Sequence, residues 1–189
     1  MRSEAKLLRT FLWRRLDQPG HDACRLFRTA EGWHLAGVAV FCEAGRVYDL
    51  RYEVSLDSHW RTLAVSVSGH HGVKPVDLNI RPAGDHTWQV GNRSVRMTAE
   101  CLDVDLGFTP ATNLIAIRRL ALRVGQQAEA PAAWLNYQNL RVSTLPQTYR
   151  RVDKQTYRYE APTVGYRGSL RVSSIGAVVS YPRLFKLIA

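Results

Sequence analysis

Alternation of apolar and polar residues restricts this chain to a β-rich fold more strongly than any other feature of its sequence. In the segment 51–57, Tyr52, Val54 and Leu56 alternate with charged and hydroxyl side chains, and residues 63–68 repeat the pattern with apolar side chains at 63, 65 and 67. Successive side chains of a strand point to opposite faces, so a period of two indicates strands buried on one side. Turns rich in glycine, proline and asparagine recur at short intervals. The pattern predicts many antiparallel strands joined by tight turns.

One segment departs from this alternation. Thr109 offers a hydroxyl for a helix N-terminal cap, and Pro110 suits the first helical position because its missing N–H would have no partner there. We predict one short helix over residues 110–119, followed directly by a strand with apolar positions in 120–124. Because residues 114–117 are all apolar, the helix is predicted to be buried, with the sheet wrapped around it.

Length and composition favour one domain over residues 1–189, since 46% of the residues are hydrophobic and no linker or repeat divides the chain. The three cysteines are scattered, which is typical of reduced thiols in a cytoplasmic protein. The first sixteen residues lack the uninterrupted apolar region of a signal peptide. No segment is apolar over the roughly 20 residues that a membrane span needs. We therefore expect a cytoplasmic protein with no membrane span.

The net charge of +10 raises the question of an anionic partner. Basic residues are scattered from Arg2 to Lys186 with no run longer than two, which argues against a nucleic-acid surface. Tyr and Arg do interleave at 149–151, 157–159 and 166–167, a combination that can stack bases and neutralise phosphates. A basic nucleic-acid-associated β protein is therefore kept as an alternative, and a GC-rich genome would explain the arginines equally well.

Two carboxylates form the densest candidate site. If residues 101–106 form a strand, Asp103 and Asp105 project from the same face. They could serve acid–base chemistry, which leaves an enzyme as a less favoured alternative, or bind a cation. They could instead pair with Arg118 and Arg119, as buried carboxylates need charged partners or backbone donors. We favour this pairing, and we expect no metal site because no third ligand lies nearby.

The motifs of nucleophile elbows, phosphate-binding loops and dinucleotide-binding loops do not occur in the sequence. We therefore expect a binding protein with no catalytic residues and no cofactor.

The run 101–113, together with 117–120, resembles the central signature of a bacterial glycolipid-binding family. The segments 12–16, 60–62 and 178–184 agree with the same family, and together they cover nearly the whole chain in order.

This resemblance implies a spiral β-roll, in which a long antiparallel sheet winds around one helix, and a homodimer. It also implies glycolipid binding, and it carries over no catalytic residues. The family tends to have Phe where this chain has Ala111, and Thr-Leu-Pro where this chain has Leu-Ile-Ala at 114–116.

Our leading hypothesis is a protein that binds a glycolipid or other amphiphile in an apolar cleft between sheet and helix. Two tryptophans are predicted to form its wall, and three arginines to bind an anionic headgroup unless the two carboxylates already occupy them. The predicted ligand-binding residues are Trp13, Trp60, Arg61, Asp103, Asp105, Thr109, Asn113, Arg118 and Arg119.

Overall fold

The structure, a computed structural model, describes residues 5–189. The first four residues, on which the expectation of no signal peptide partly rests, lie outside the described residues. The strands are, in chain order, β1 Lys6–Arg15, β2 Gly20–Arg28, β3 Gly32–Glu43, β4 Arg46–Asp57, β5 Thr62–His71, β6 Lys74–Gly84, β7 Thr87–Val90, β8 Arg93–Arg96, β9 Asp103–Asp105, β10 Gln127–Glu129, β11 Ala132–Asn136, β12 Arg141–Leu145, β13 Thr148–Arg151, β14 Thr156–Ala161, β15 Tyr166–Val172, β16 Val178–Tyr181 and β17 Phe185–Leu187. The helix α1 is Asn113–Leu120, and short 3-10 helices span Pro110–Thr112 and Pro162–Val164.

Fourteen of these strands form one antiparallel sheet in the order β10-β13-β14-β15-β16-β17-β1-β2-β3-β4-β5-β6-β7-β8. The chain begins near the middle of this sheet, builds outward to β8, and returns from the other edge to β17. There β17 pairs with β1, with Trp13 opposite Leu187. The edge strands β8 and β10 are not paired with each other, so the sheet is open rather than a closed barrel. The prediction of a mainly β fold with one long antiparallel sheet is confirmed.

The predicted alternation is confirmed along β4, where Tyr52, Val54 and Leu56 are all buried. It is wrong for Leu63, which is 42% exposed. A bulge interrupts the pairing of β4 with β5, so that Leu56 lies opposite Thr62. The extra residue of a bulge points the wrong way for the regular pattern, and Thr62 takes the inward position instead.

The helical segment lies where it was predicted, with one difference at each end. The α-helix begins at Asn113, after a 3-10 turn over Pro110–Thr112. It ends at Leu120, and the next residue, Ala121, caps it in a left-handed conformation with φ of 45°. The strand predicted directly after it is not formed, since residues 121–126 make a turn and β10 starts at Gln127. A left-handed residue redirects the chain at a helix end, so the alternation at 120–124 could not continue as a strand.

Contacts from both halves of the sheet show that it wraps around this segment. The hydroxyl of Thr109 donates to Asp22 of β2. Asn113 Nδ2 donates to the hydroxyl of Tyr149 of β13 at 2.9 Å. Since β2 and β13 lie on opposite sides of the β1–β17 pair, the sheet curves over the helix from two directions. The predicted arrangement of a sheet around one short helix is confirmed.

A second sheet of three strands, in the order β12-β11-β9, supports the start of the helical segment. Strands β9 and β11 are parallel, unlike every pair in the large sheet. Thr62 of β5 connects the two sheets, because its N–H donates to Leu102 O at 2.9 Å and its hydroxyl accepts from Val104 N at 3.1 Å. These bonds fix the position of β9, and hence of Asp103 and Asp105.

Gly37 of β3 provides a test of this packing. It lies opposite Tyr52, and a Cβ there would be 2.3 Å from Tyr52 Cζ. We expect Gly37→Ala to displace the tyrosine ring and to lower the free energy of unfolding by about 1–3 kcal/mol. Urea denaturation would measure this loss. Ala36→Val on the other face of β3 is the control, with an expected change within about 0.5 kcal/mol. Equal stability of Gly37→Ala and wild type would contradict the packing described.

Candidate functional site

An apolar cleft of about 210 Å³ opens beside the C-terminal half of α1. It lies between β1, β2, β3, the turn before β5 and the loop between β15 and β16. Five of its side chains are apolar and two are arginines, which suits a ligand with both apolar and polar parts. The residues that line this apolar cleft are Leu8, Arg9, Leu26, Trp33, Trp60, Arg118 and Ile175.

The turn that carries Trp60 is tightly held. Asp57 Oδ1 accepts hydrogen bonds from the N–H groups of His59 and Arg61, each at 2.8 Å. Trp60 itself has a φ of 68°, a left-handed conformation that bulky residues rarely adopt. The surrounding bonds therefore stabilise a strained residue, and such residues concentrate at functional positions. The result is that the Trp60 indole stacks on Trp33, with ring centroids 4.5 Å apart.

Trp33 has an unusual polar atom. Its Nε1 is the only buried side-chain nitrogen or oxygen in residues 5–189 without a hydrogen-bond partner. Such orphan donors are rare in folded proteins. The Arg28 guanidinium covers the Trp33 ring at 4.4 Å, but it is itself a donor and cannot satisfy the indole N–H.

Arg118 projects from the exposed side of α1 at one end of the apolar cleft. Its guanidinium carbon lies 5.4 Å from the centroid of the Trp60 ring. It forms no ion pair with a carboxylate among residues 5–189. Arg118 also lines a second cavity, so it stands between the two.

This second cavity, the polar pocket, has a volume of about 250 Å³. Arg151 is rigidly placed in it, as its guanidinium donates to three backbone carbonyls, those of Leu122 at 2.8 Å, Lys154 at 3.0 Å and Asp153 at 3.2 Å. The residues that line the polar pocket are Ile117, Arg118, Ala121, Arg151, Lys154, Tyr157, Val172, Ser173, Ser174 and Gly176. Because Ile175 of the apolar cleft lies between Ser174 and Gly176, the two cavities adjoin.

Of the predicted ligand-binding residues, the structure brings Trp60 and Arg118 together at the apolar cleft. Arg61 follows Trp60 on the same turn with an exposed side chain and is not part of the cleft wall. Trp13 is elsewhere, 1% exposed in the interior. Its Nε1 donates to Val178 O at 2.6 Å, so its polar atom is already bound to the protein.

The predicted ion pair forms for one carboxylate only. Asp103 accepts two hydrogen bonds from Arg119, both at 2.7 Å. Asp105 accepts from Gln147 Nε2 at 2.6 Å and from Gly107 N at 2.8 Å, and does not pair with an arginine. Burial raises the pKa of Asp103, and its bonds to Arg119 offset part of that rise. Within residues 5–189 Arg118 therefore has no carboxylate partner, while Arg119 pairs with Asp103.

Thr109 and Asn113 lie inside the roll, both about 5% exposed or less. Thr109 donates to Asp22 and lies 3.1 Å from the hydroxyl of Tyr52, which also donates to Asp22. Burial raises the pKa of Asp22 to about 7, and the bonds from Thr109 and Tyr52 and the charge of Arg15 offset only part of that rise.

Sequence reasoning missed several residues of these sites. Asp22 could have been found, since it shares the inward positions of β2 with Cys24 and Leu26. Trp33 could have been found as well, because the alternation along β3 places it on the same face as the buried residues Leu35 and Ala39. Arg151 was noted only as part of the Tyr–Arg run 149–151, and Lys154 carries no local signal, because only the folded sheet brings both residues to Arg118.

The chain was then compared with known proteins. A family model described as "Putative glycolipid-binding" matches residues 10–186. The chain belongs to this family. The resemblance predicted from the central signature is confirmed.

A solved relative agrees on the fold. The crystal structure of a DUF1089 family protein from Pseudomonas aeruginosa is 25% identical to this member of the glycolipid-binding family. The match covers 98% of this chain and 94% of that one, with a TM-score of 0.76. No curated protein matches the sequence.

Two further findings concern the described residues. Residues 5–189 contain no helix long and apolar enough to cross a membrane. Among the same residues, no three His, Cys, Asp or Glu side chains group as metal ligands.

The Asp103–Arg119 pair gives a prediction about stability. We expect Arg119→Met to lower the free energy of unfolding by about 3–5 kcal/mol, because it leaves a buried carboxylate without its cation. Arg123→Met, at an exposed position just beyond the helix, is the control and should change it by less than about 0.5 kcal/mol. Chemical denaturation would compare the two, and similar losses would show that the pair has no structural role.

The raised pKa of Asp22 gives a prediction about pH. In the folded protein Asp22 keeps its proton up to about pH 7, whereas in the unfolded chain it releases this proton near pH 3.8. This tighter binding of a proton stabilises the folded state. The stabilisation is complete below the pKa of Asp22 in the unfolded chain, and it is lost as the pH rises through the pKa in the folded protein, by up to about 1.4 kcal/mol per pH unit. We expect Asp22→Asn to remove this decline between pH 4 and 7.

Urea denaturation across that pH range would measure the effect on the free energy of unfolding. Asp77→Asn, at an exposed position of β6, is the control and should follow the wild-type profile. Parallel profiles for Asp22→Asn and wild type would contradict the assignment.

Proposed function

We propose that this protein binds an amphiphile, with the apolar part in the apolar cleft and the polar part in the polar pocket. The observation that carries this proposal is that the two cavities adjoin and share Arg118. One cavity is walled mainly by apolar and aromatic side chains, whereas the wall of the other includes three cations and three hydroxyl groups. A molecule with an apolar part and a polar part fits the two cavities together better than it fits either cavity alone.

The sizes of the cavities support a shared ligand. Their volumes are about 210 and 250 Å³. Ligand sites typically measure roughly 300–1,000 Å³, so each is small by itself and the two together fall within the range. Burial of alkyl surface against Leu26, Trp33 and Trp60 would drive binding, at about 25 cal/mol per Å² before ordering costs.

A glycolipid is the amphiphile that we propose. The description of the family supports it. The polar pocket also offers sugar-compatible partners in the hydroxyls of Ser173 and Ser174 and the donors of Arg118 and Lys154.

We further propose that the protein holds its ligand without transforming it. The pairing of Asp103 with Arg119 supports this, because a carboxylate committed to a guanidinium is poorly suited to proton transfer. A cytoplasmic location and a homodimer remain proposals that follow from composition and from the family resemblance. Analytical ultracentrifugation of the purified protein would test the dimer.

Leu8 and Leu7 offer a matched test of the apolar cleft. Leu8 lines the cleft, while its neighbour Leu7 is 49% exposed and does not. We expect Leu8→Gln to weaken binding of dodecyl β-maltoside about tenfold or more, because a buried leucine contributes about 1.5–3 kcal/mol. Leu7→Gln should leave the affinity within about twofold of wild type.

Tryptophan fluorescence would follow the titration, since Trp33 and Trp60 form the cleft wall. The detergent is kept below its critical micelle concentration. Absence of binding to wild type, or equal affinities of the two leucine variants, would refute the site.

A further inference from the structure

We propose that the polar pocket binds an anionic headgroup, so that the preferred ligand is an amphiphile bearing a phosphate or sulfate group. This inference rests on the proposed function and specifies its ligand class. Three cations line the pocket, Arg118, Arg151 and Lys154, and none of the carboxylates in residues 5–189 lines it.

The charges of these three residues are not neutralised by the protein. None of them forms an ion pair within residues 5–189. Arg151 is held only by neutral backbone carbonyls, so it keeps its full charge while its position is fixed. A guanidinium has more N–H groups than these three bonds use, which leaves donors for a ligand. A fixed cation of this kind recognises phosphate well, since little ordering is needed on binding.

The negative end of the helix does not account for all of this charge. Cations gather at helix C-termini because the last carbonyls carry partial negative charge. Here Ala121 N caps Ile117 O, and Arg151 donates to Leu122 O just beyond the helix. Arg119 is neutralised by Asp103. The positive charges of Arg118 and Lys154 are therefore not needed to balance the partial negative charge at the end of the helix.

Hydroxyl groups complete the pocket. Ser173 and Ser174 lie on its rim, and hydroxyls commonly donate to phosphate oxygens. The Tyr157 ring lies 5.7 Å from the Arg151 guanidinium carbon. Burial raises the pKa of Tyr157, and the charges of Arg151 and Arg118 act in the opposite direction. The phenol thus stays protonated at neutral pH and adds a donor rather than a negative charge.

The test compares two amphiphiles with the same tail. Dodecyl phosphate and dodecyl β-maltoside, each below its critical micelle concentration, are titrated into the full-length protein by calorimetry, and inorganic phosphate is titrated separately. The variant is the double substitution Arg118→Gln with Lys154→Gln. The matched control is Arg150→Gln with Arg158→Gln, which makes the same charge change at exposed residues outside the polar pocket.

We expect wild type to bind dodecyl phosphate at least about tenfold more tightly than the maltoside, with the preference reduced by added salt. The Arg118/Lys154 variant should lose roughly tenfold to a hundredfold in affinity for dodecyl phosphate, and less than about threefold for the maltoside. The control should resemble wild type. Inorganic phosphate should bind about a hundredfold more weakly than dodecyl phosphate, since it lacks the tail.

Each contrary result has one meaning. If neither amphiphile binds, the proposed function itself is wrong. If the maltoside binds but wild type shows no preference for dodecyl phosphate, or the variant weakens both equally, only the anionic headgroup is refuted. Inorganic phosphate binding as tightly as dodecyl phosphate would make the pocket a site for free anions and would overturn the headgroup proposal.

Discussion

The hydrogen bonds that join Asp22, Tyr52 and Thr109 allow a helix to begin inside a β-sheet. A helix start has N–H groups that need partners, and here water does not reach them. Thr109 Oγ1 accepts from Ala111 N at 3.0 Å, and its own hydroxyl proton goes to Asp22. Tyr52 reaches the same carboxylate at 3.1 Å because Gly37 leaves room for its ring. The sheet can therefore close over the polar entrance of the helix with these groups paired to one another, and the core around residues 114–117 follows from this.

The opposite end of the helix explains where the cavities lie. Arg119 turns inward to Asp103, while Arg118 points outward to the ring of Trp60. The loop after β15 approaches the helix closely at Gly176, where a Cβ would be 3.0 Å from Ile117 Cγ2. The apolar cleft and the polar pocket lie on either side of this contact. The candidate site is thus the place where the sheet stops covering the helix, and the burial that forms the fold also shapes the two cavities.

The sequence predicted the sheet and the helix because both depend on local patterns. Alternation identified β4, and the cap at Thr109 located the helical segment. Local patterns also caused the errors, since neither the bulge that exposes Leu63 nor the left-handed turn at Ala121 has an apolar signature. The site was predicted only in part. Trp60 and Arg118 were identified, but their partners come from distant strands, and the pairing of Arg119 rather than Arg118 with Asp103 depends on the side of the helix that β9 meets.

The pairing of β1 with β17 has a consequence for how the molecule assembles. Strands β1 to β8 pair with their sequence neighbours and can form hairpin by hairpin as the chain is synthesised. The same holds for β13 to β17. The join between these two halves links residues 13–15 to residues 185–187, so it is the strand pairing of greatest sequence separation, and we expect it to form late. Until it forms, the loop that carries Ile175 is not joined through the sheet to the strands that carry Leu8, Leu26 and Trp33. The walls of the apolar cleft come from both halves of the chain, so the cleft is complete only when the two halves have joined.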